Sequence, residues 1–372
     1  MSVSTANVCP AILTSLAINE IFNPSNAAQF NGTLGALHHP ENLARGQVIR
    51  GANNDGTGHK KSVRVVYKRR QVADDAVSTK NCDLGPELPY IEEEVSINNY
   101  KGINYLVTED KLRTFCEAYS SLVQITGAST PGQIAGRAVQ IGAAQGAVSV
   151  ALEIFNDMQL SIYGLKQSIN QDLLGTLASG AGTWVGGNAT NAYQVQASDG
   201  GPYLDGLWDM KQDYTIAGQT SAPIIITGAN ALHRIWMNDS RFFGQAANGI
   251  NFAEVRARTG IADLYYDENV AAELGNQTKS IIFAPGSALF LPFPQYVGNF
   301  GQIGTMTRFT MPMPGIDGMT MDVRILPNEC DENYAIWMEV FYELYVPPTD
   351  MFSNTDNLDG VNGVFQATFT QA

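Results

Sequence analysis

The sequence predicts an α+β chain, and three observations carry that expectation. Apolar and polar positions alternate over residues 63–68, 91–97 and 333–346, the period of a half-buried strand. Residues 133–178 instead hold apolar side chains at helical spacing, over a length no ordinary strand reaches. Residues 223–227 form a buried-strand run, followed by Gly228 and a helical pattern carrying Leu232, Ile235 and Trp236. The expected order is an arm, a long β-hairpin loop, a long helix, a compact α/β region and a strand-rich return.

Residues 1–46 read as the arm. A short helix is expected from Cys9 to Phe22, stopped by Asn23-Pro24, with polar, irregular sequence after it that another subunit would hold down. Residues 47–108 read as an extended β-hairpin. Gly51-Ala-Asn-Asn-Asp-Gly-Thr-Gly58 is turn chemistry. Val63, Val65 and Tyr67 alternate with Arg64, Val66 and Lys68 on the first strand. On the second, Ile91, Val95 and Ile97 alternate with Glu92, Glu94 and Ser96, and Glu93 breaks the apolar face. Basic and acidic strands that pair in this way gain about 0.2–1 kcal/mol per opposite-charge contact. A turn at 98–102 leads to a third strand, 103–107. The intervening residues 71–89 exceed any ordinary hairpin loop, as expected of a segment that is disordered or grips a partner.

Thr108-Glu109-Asp110 caps a predicted helix over 111–125, and residues 127–132 break it. From Gln133 to about Ala178, Ile134, Ile141, Val148, Phe155, Ile162 and Ile169 recur every seven residues, with Leu152, Met158, Leu165 and Leu173 between them. Unbroken, that helix would be ~70 Å long. Gly136, Gly142 and Gly146 weaken its first half or allow close packing. A coiled coil is the alternative, but the charges that select a coiled-coil partner are missing. Residues 180–201 read as loops. Further strands are expected at 261–266, 280–283, 289–291, 306–311, 319–326 and 333–346. The last sets Ile336, Met338, Val340, Tyr342 and Leu344 against Trp337, Glu339, Phe341, Glu343 and Tyr345.

Composition narrows the function. Hydrophobic residues make up 44% of the 372 and charged residues only 16%, against a usual charged fraction of about 25%. Surfaces covered in an assembly tolerate that, as does a quiet enzyme surface. The net charge of −14 argues against phosphate neutralisation as a binding mode. Charge is uneven: residues 1–80 carry nine Lys/Arg and five Asp/Glu, a net +4, and the remainder −18. All nine basic residues lie between Arg45 and Lys80. The four cysteines are scattered with no Cys-x-x-Cys pair, so redox and zinc-ribbon chemistry lack support and a reducing cytoplasm fits. No signal peptide or membrane span is apparent.

Catalytic patterns are missing. His38-His39 reads as an interface or surface pair, His59 lies in a Gly-rich turn, and His233 lies on a predicted helix outside any ligand spacing. There is no Gly-x-Ser-x-Gly elbow. Gly51-x4-Gly56 is followed by Thr57-Gly58 rather than Lys-Ser/Thr, so no phosphate loop forms, and Lys61 stands where a dinucleotide motif needs glycine. The acidic pairs Asp74-Asp75 and Asp267-Glu268 read as solvated loop acids. The sharpest cluster is Lys60, Lys61, Arg64, Lys68, Arg69 and Arg70. It fits a clamp onto Glu92, Glu93 and Glu94 of another copy, nucleic-acid contact, or a solvated strand face paired locally.

The order of these parts resembles the major capsid proteins of tailed bacteriophages, the Hong Kong 97-type fold shared by encapsulins. That family runs from an arm through an extended loop and a spine helix to peripheral and axial domains. Thr108-Glu109-Asp110-Lys111-Leu112-Arg113 resembles the start of the spine region. Leu173-Leu174-Gly175 with Gly180-Ala181-Gly182-Thr183 resembles its glycine-rich exit. Residues 223–236 resemble the axial strand and helix, and Ile281-Ile282-Phe283-Ala284-Pro285-Gly286 the return strand. The resemblance spans nearly the whole chain but is architectural. It implies an arm at 1–46, an extended loop at 47–108, spine and the start of the peripheral domain at 109–200, an axial domain at 201–280 and peripheral return strands with a tail at 281–372.

By the same resemblance the chain is a non-enzymatic shell subunit without cofactor or metal. Hexamers and pentamers would close into an icosahedral head in the bacterial host cytoplasm and enclose double-stranded DNA without specific binding. Because the chain begins at the arm, a separate scaffold protein is implied, beside a portal and decoration proteins. Some members cross-link lysine to asparagine; Lys80-Asn81 lies at the loop tip, and no cross-link is expected. An encapsulin-like cellular compartment and a cytoplasmic α/β enzyme remain the alternatives.

Overall fold

The computed structural model describes residues 32–45, 48–49, 62–68, 90–108, 110–111, 145–181, 192–196, 205–216, 219, 221–228, 259–275, 278–292, 301–303, 306–313, 319–328, 333–347 and 362–371. The helices within them are α1 (Thr33–Leu37), α2 (Pro40–Arg45), α3 (Gln145–Gly180), α4 (Asp205–Ile216) and α5 (Val270–Glu273). The strands are β1 (Val48–Ile49), β2 (Ser62–Lys68), β3 (Tyr90–Ser96), β4 (Asn99–Thr108), β5 (Tyr193–Gln196), β6 (Ile224–Thr227) and β7 (Asp263–Tyr266). They continue with β8 (Lys279–Phe283), β9 (Leu289–Pro292), β10 (Gly301–Ile303), β11 (Met306–Pro312), β12 (Thr320–Asn328), β13 (Asn333–Tyr345) and β14 (Val364–Gln371). The helix expected at Cys9–Phe22, most of that at 111–125, the first part of the long helix and the helix after Gly228 lie outside the described residues.

The chain forms two compact units. The first takes residues 98–169 and 292–342; the second takes 30–97, 170–291 and 343–372. In the first, an antiparallel sheet runs β10-β11-β12-β13-β4. Ile336, Met338, Val340 and Tyr342 of β13 are buried, as their alternation predicts. Their register partners Tyr105, Ile103, Lys101 and Asn99 share that face. It turns toward α3: the Tyr105 hydroxyl donates to Asp157 Oδ2 at 2.7 Å, and a Cβ on Gly164 would lie 3.9 Å from Ile103.

β4 departs from the expected third hairpin strand. It begins at Asn99 rather than 103 and pairs with β13, not with β3. Its burial alternates from the first residue between half-buried and exposed positions, with Val107 buried. The presumed turn residues therefore belong to a strand.

The second unit holds two sheets. β1-β2-β3 is the antiparallel charged hairpin with a short flank, and the other sheet runs β5-β14-β8-β6-β7. In the latter Ile224, Ile225, Ile226, Ile281, Ile282 and Phe283 are all fully buried, so both faces are covered and the strands read as runs instead of alternations. β14 lies between β5 and β8, parallel to the first and antiparallel to the second. Residues 193–196, expected as loop, form β5, and the expected tail contains β14. These are corrections made by long-range pairing.

α3 is 36 residues long, about 54 Å at 1.5 Å per residue. Ile162, Leu165 and Ile169 are buried in the first unit and Leu173, Leu174 and Leu177 in the second, while Leu160 and Tyr163 are exposed. The last turn of a helix leaves carbonyls without intrahelical partners. Here Gln366 Nε2 donates to the Ala178 carbonyl (2.9 Å) and Asn362 Nδ2 to that of Gly180 (2.6 Å). The segment leading into β14 thus ends the helix.

Candidate assembly surface

The charged hairpin comes first. β2 and β3 are antiparallel with Arg64 opposite Glu94, Val65 opposite Glu93, Val66 opposite Glu92 and Lys68 opposite Tyr90. Alternation then puts positions 62, 64, 66 and 68 on one face with 96, 94, 92 and 90, so that two basic and two acidic positions share it. Ser62 Oγ donates to Glu94 Oε1 at 2.6 Å. On the other face, Val63 and Val65 are buried. Glu93, which interrupts that face in the sequence, accepts the Tyr345 hydroxyl at 2.6 Å.

The structure therefore brings Arg64, Glu93 and Glu94 together within one hairpin. Lys68 and Glu92 are placed by strand position, and Lys60, Lys61, Arg69 and Arg70 lie outside the described residues. Among the described residues, the register sets Arg64, in the middle of the basic cluster, opposite Glu94.

The sheet of the first unit has a second face, away from α3. Tyr100, Gly102, Asn104 and Leu106 of β4 share it with Phe341, Glu339, Trp337 and Ala335 of β13, and Asp322 and Arg324 of β12 continue it. Asp322 and Glu339 stand directly opposite, an arrangement that repels unless a cation intervenes. Arg324 supplies it. Its Nε and Nη2 donate to Asp322 Oδ2 at 3.1 Å each, and Nη2 lies 2.8 Å from Glu339 Oε2. Burial, and then a hydrogen bond to Glu339 with that carboxylate's charge, push the Tyr100 hydroxyl above its ordinary range; Arg324 acts the other way. Around this polar centre Tyr100, Leu106 and Trp337 are exposed, Leu106 by 57%. On α3, Leu160 is 69% exposed and Tyr163 lies beside it.

Lys166, on the buried side of α3 in the same unit, is only 6% exposed. Among the described residues no ion pair or hydrogen bond reaches its ammonium, and burial pushes its pKa down.

Residues 32–45 overturn two readings of the sequence. They are not irregular: α1 and α2 bury Thr33, Leu34, Ala36, Leu37 and Asn42. Asp267 is not a solvated loop acid. It is 4% exposed, and its Oδ2 accepts from Thr33 N (3.0 Å), Thr33 Oγ1 (2.8 Å) and Asn170 Nδ2 (2.5 Å). Oδ1 accepts from the Asn269 backbone (3.0 Å) and side chain (3.3 Å). Five donors occupy the lone pairs a general base would need.

Asn170 Oδ1 takes the Leu34 N–H at 2.9 Å, so the first two amides of α1 are capped by side chains remote in sequence. Asn42 donates to the Leu37 and Ala288 carbonyls and accepts from Gly286 N. Gly32 (φ 112°) and Gly286 (φ 89°) lie where a side chain would collide, with Asp267 and Arg45 respectively.

The histidines belong to this clasp, not to a surface pair. His38 Nδ1 bonds the Leu34 carbonyl at 2.8 Å and its ring packs on Phe290. His39 is buried, edge-on to Tyr265, and its Nδ1 accepts from Glu41 N. The proton is then on Nε2, which faces Asp263 Oδ2 at 4.0 Å.

In the α/β region, polar groups converge on each other. Lys211 Nζ donates to the Ser221 carbonyl (2.8 Å) and stands 4.8 Å from the Tyr214 ring centre. Tyr214 and Ser221 share a hydrogen bond of 3.0 Å, and burial pushes the Tyr214 hydroxyl up to about 12. Among the described residues no helix is long and apolar enough to cross a membrane.

No protein-family model matches the chain, and no curated protein matches it. Among solved structures it is similar to a cyanophage A-1(L) capsid asymmetric unit, at 12% identity and TM-score 0.47, over 83% of this chain and 88% of that one. It is similar to the asymmetric unit of the bacteriophage PhiM1 mature capsid at 9% identity and TM-score 0.35, over 84% and 83%. A structure from Mycobacterium phage Adephagia matches at 10% and TM-score 0.39, over 93% and 92%.

Proposed function

We propose that this chain is the major capsid protein of a tailed bacteriophage, a structural subunit without catalytic activity. Hexamers and pentamers of it close an icosahedral head in the host cytoplasm and enclose double-stranded DNA without binding it specifically. The observation that carries the reading is the first unit: its sheet leaves Tyr100, Leu106 and Trp337 exposed on one side, and its helix leaves Leu160 and Tyr163 exposed. Aromatic and large aliphatic side chains gathered on open faces mark protein contact surfaces.

The segments divide as arm (1–46), extended loop (47–108), spine and start of the peripheral domain (109–200), axial domain (201–280) and peripheral return (281–372). Scaffold, portal and decoration proteins are separate partners. Lys60, Lys61, Arg64, Lys68, Arg69 and Arg70 meet acidic groups of a neighbouring copy, Glu92, Glu93 and Glu94 among them. Within the hairpin Arg64 stands opposite Glu94, and basic and acidic groups so placed suit a charge-complementary contact. The −18 carried by residues 81–372 keeps packed DNA from adhering to the wall.

Negative-stain electron microscopy of the protein, expressed alone and with its genomic neighbours, tests the reading. Closed shells or hexameric rings are expected; a monodisperse monomer or dimer under both conditions overturns it. Reversing Lys68, Arg69 and Arg70 to Glu should block assembly and leave a folded subunit. Normal shells from that variant would remove the loop from the contact.

A further inference from the structure

Residues 32–45 lie on the second unit as a strap. α1 and α2 have five and six residues, too few for a helix to hold itself in water. Their shape comes from what they dock against. The strap adds no strand to the five-stranded sheet, whose ladders run β5-β14-β8-β6-β7 without it.

We propose that this strap is a latch, which docks and releases as one piece on the Asp267 carboxylate while the sheet beneath stays folded. The hooks are linked in a way that makes release cooperative. Losing the carboxylate removes the acceptor of Thr33 N, Thr33 Oγ1 and Asn170 Nδ2 together. Asn170, once unheld, no longer fixes its Oδ1 on Leu34 N. The loosening then runs toward Leu34, whose carbonyl holds His38, and toward Leu37, whose carbonyl holds Asn42.

None of these bonds belongs to a sheet ladder. The backbone bond from Asp267 N to the Thr227 carbonyl (2.9 Å) does not involve the carboxylate. Leu34, Ala36 and Leu37, at 1% exposure or less, keep the latch closed at rest. Fourteen released residues span up to about 46–50 Å when extended. On the shell reading, which this clause alone rests on, that length is added to the reach of the preceding segment toward a neighbouring copy.

Hydrogen–deuterium exchange on the full chain, unassembled, tests the latch. In Asp267→Ala, amides of 33–45 should exchange about tenfold faster or more, while those of 224–227 and 279–283 keep their protection. Thr33→Val removes one donor and should give a smaller change in the same place. Unchanged exchange in 33–45 overturns the proposal, and so does parallel loss of protection in β6 and β8. If Asp267→Ala does not fold, Thr33→Val decides: strap-only exposure supports the latch, and exposure of strap and sheet together sinks it. The readout needs no shell, so its failure and that of the shell reading are separate results.

Discussion

The two units bury their sheets differently. In the first, β13 alternates: Ile336, Met338, Val340 and Tyr342 are buried and Trp337 is exposed. In the second, β6, β8 and β14 are covered on both faces, and even Thr227, Ser280 and Thr368 are buried. A doubly covered sheet has spent its surface on its own chain. A singly covered one still has a face to give. The contrast sets a sheet buried on both faces in the second unit against a sheet in the first whose one face leaves Tyr100, Leu106 and Trp337 exposed.

The largest effect should come from the second unit's centre. Phe365→Ala removes a ring that is 1% exposed and edge-on to Tyr214, and should cost about 3–5 kcal/mol. Chemical denaturation checks this, and a loss below about 1 kcal/mol would break the contrast. Next is Arg324→Ala. It leaves Asp322 and Glu339 facing each other and should cost about 3 kcal/mol, less if water reaches the site, since Arg324 is one-third exposed. Adding Glu339→Gln should recover part of the loss. No recovery would mean that the repulsion is not what Arg324 relieves.

Leu106→Ser should move folding stability little, within about ±0.5 kcal/mol, yet deplete assembled shells in sedimentation. Normal assembly would take the open face out of the contact.

The smallest effects are pH slopes of opposite sign. Tyr214, with a folded value of about 12 against 10.0, contributes stability present below about pH 10 and lost as pH rises toward 12. Tyr214→Phe should flatten that fall. Lys166 is shifted below 10.5, so its contribution is present above that pH and lost as pH falls through the folded value. Lys166→Met should remove the alkaline rise and lift Tm at pH 7 by about 2 °C. Thermal melts at pH 7, 9, 10 and 11 separate the two.

Strands that alternate were legible in the sequence, because a half-covered sheet writes its burial into every second residue. β2, β3, β12 and β13 lie close to where their patterns put them, as does the described part of the long helix. Elements defined by distant partners were not legible. β4 carries a clear alternation, but nothing local says that it pairs with β13, more than 200 residues away. β14 also alternates, Phe365, Ala367 and Phe369 against Gln366, Thr368 and Thr370, but nothing local says that it inserts between β5 and β8. The strap looks polar, but Thr33 and Asn42 are satisfied by groups far off in sequence, at Asp267, Gly286 and Ala288. Asp267 carries no local mark of burial, since three of its five donors come from positions 33 and 170. The charged hairpin was legible as a pair of strands, while the register that sets Arg64 against Glu94 was not.

β14 has a consequence for how the protein is made. It follows β8 by some eighty residues, yet β8 has β14 as one neighbour and β5 is joined to the sheet through it. A ribosome that has not yet released residues 364–371 holds a nascent chain whose sheet is split, with β8 offering a bare edge. Such a chain cannot complete its second unit however long it waits. Premature termination therefore yields products that differ from the finished chain by an unfinished core, and chaperones and proteases can tell the two apart by that open edge.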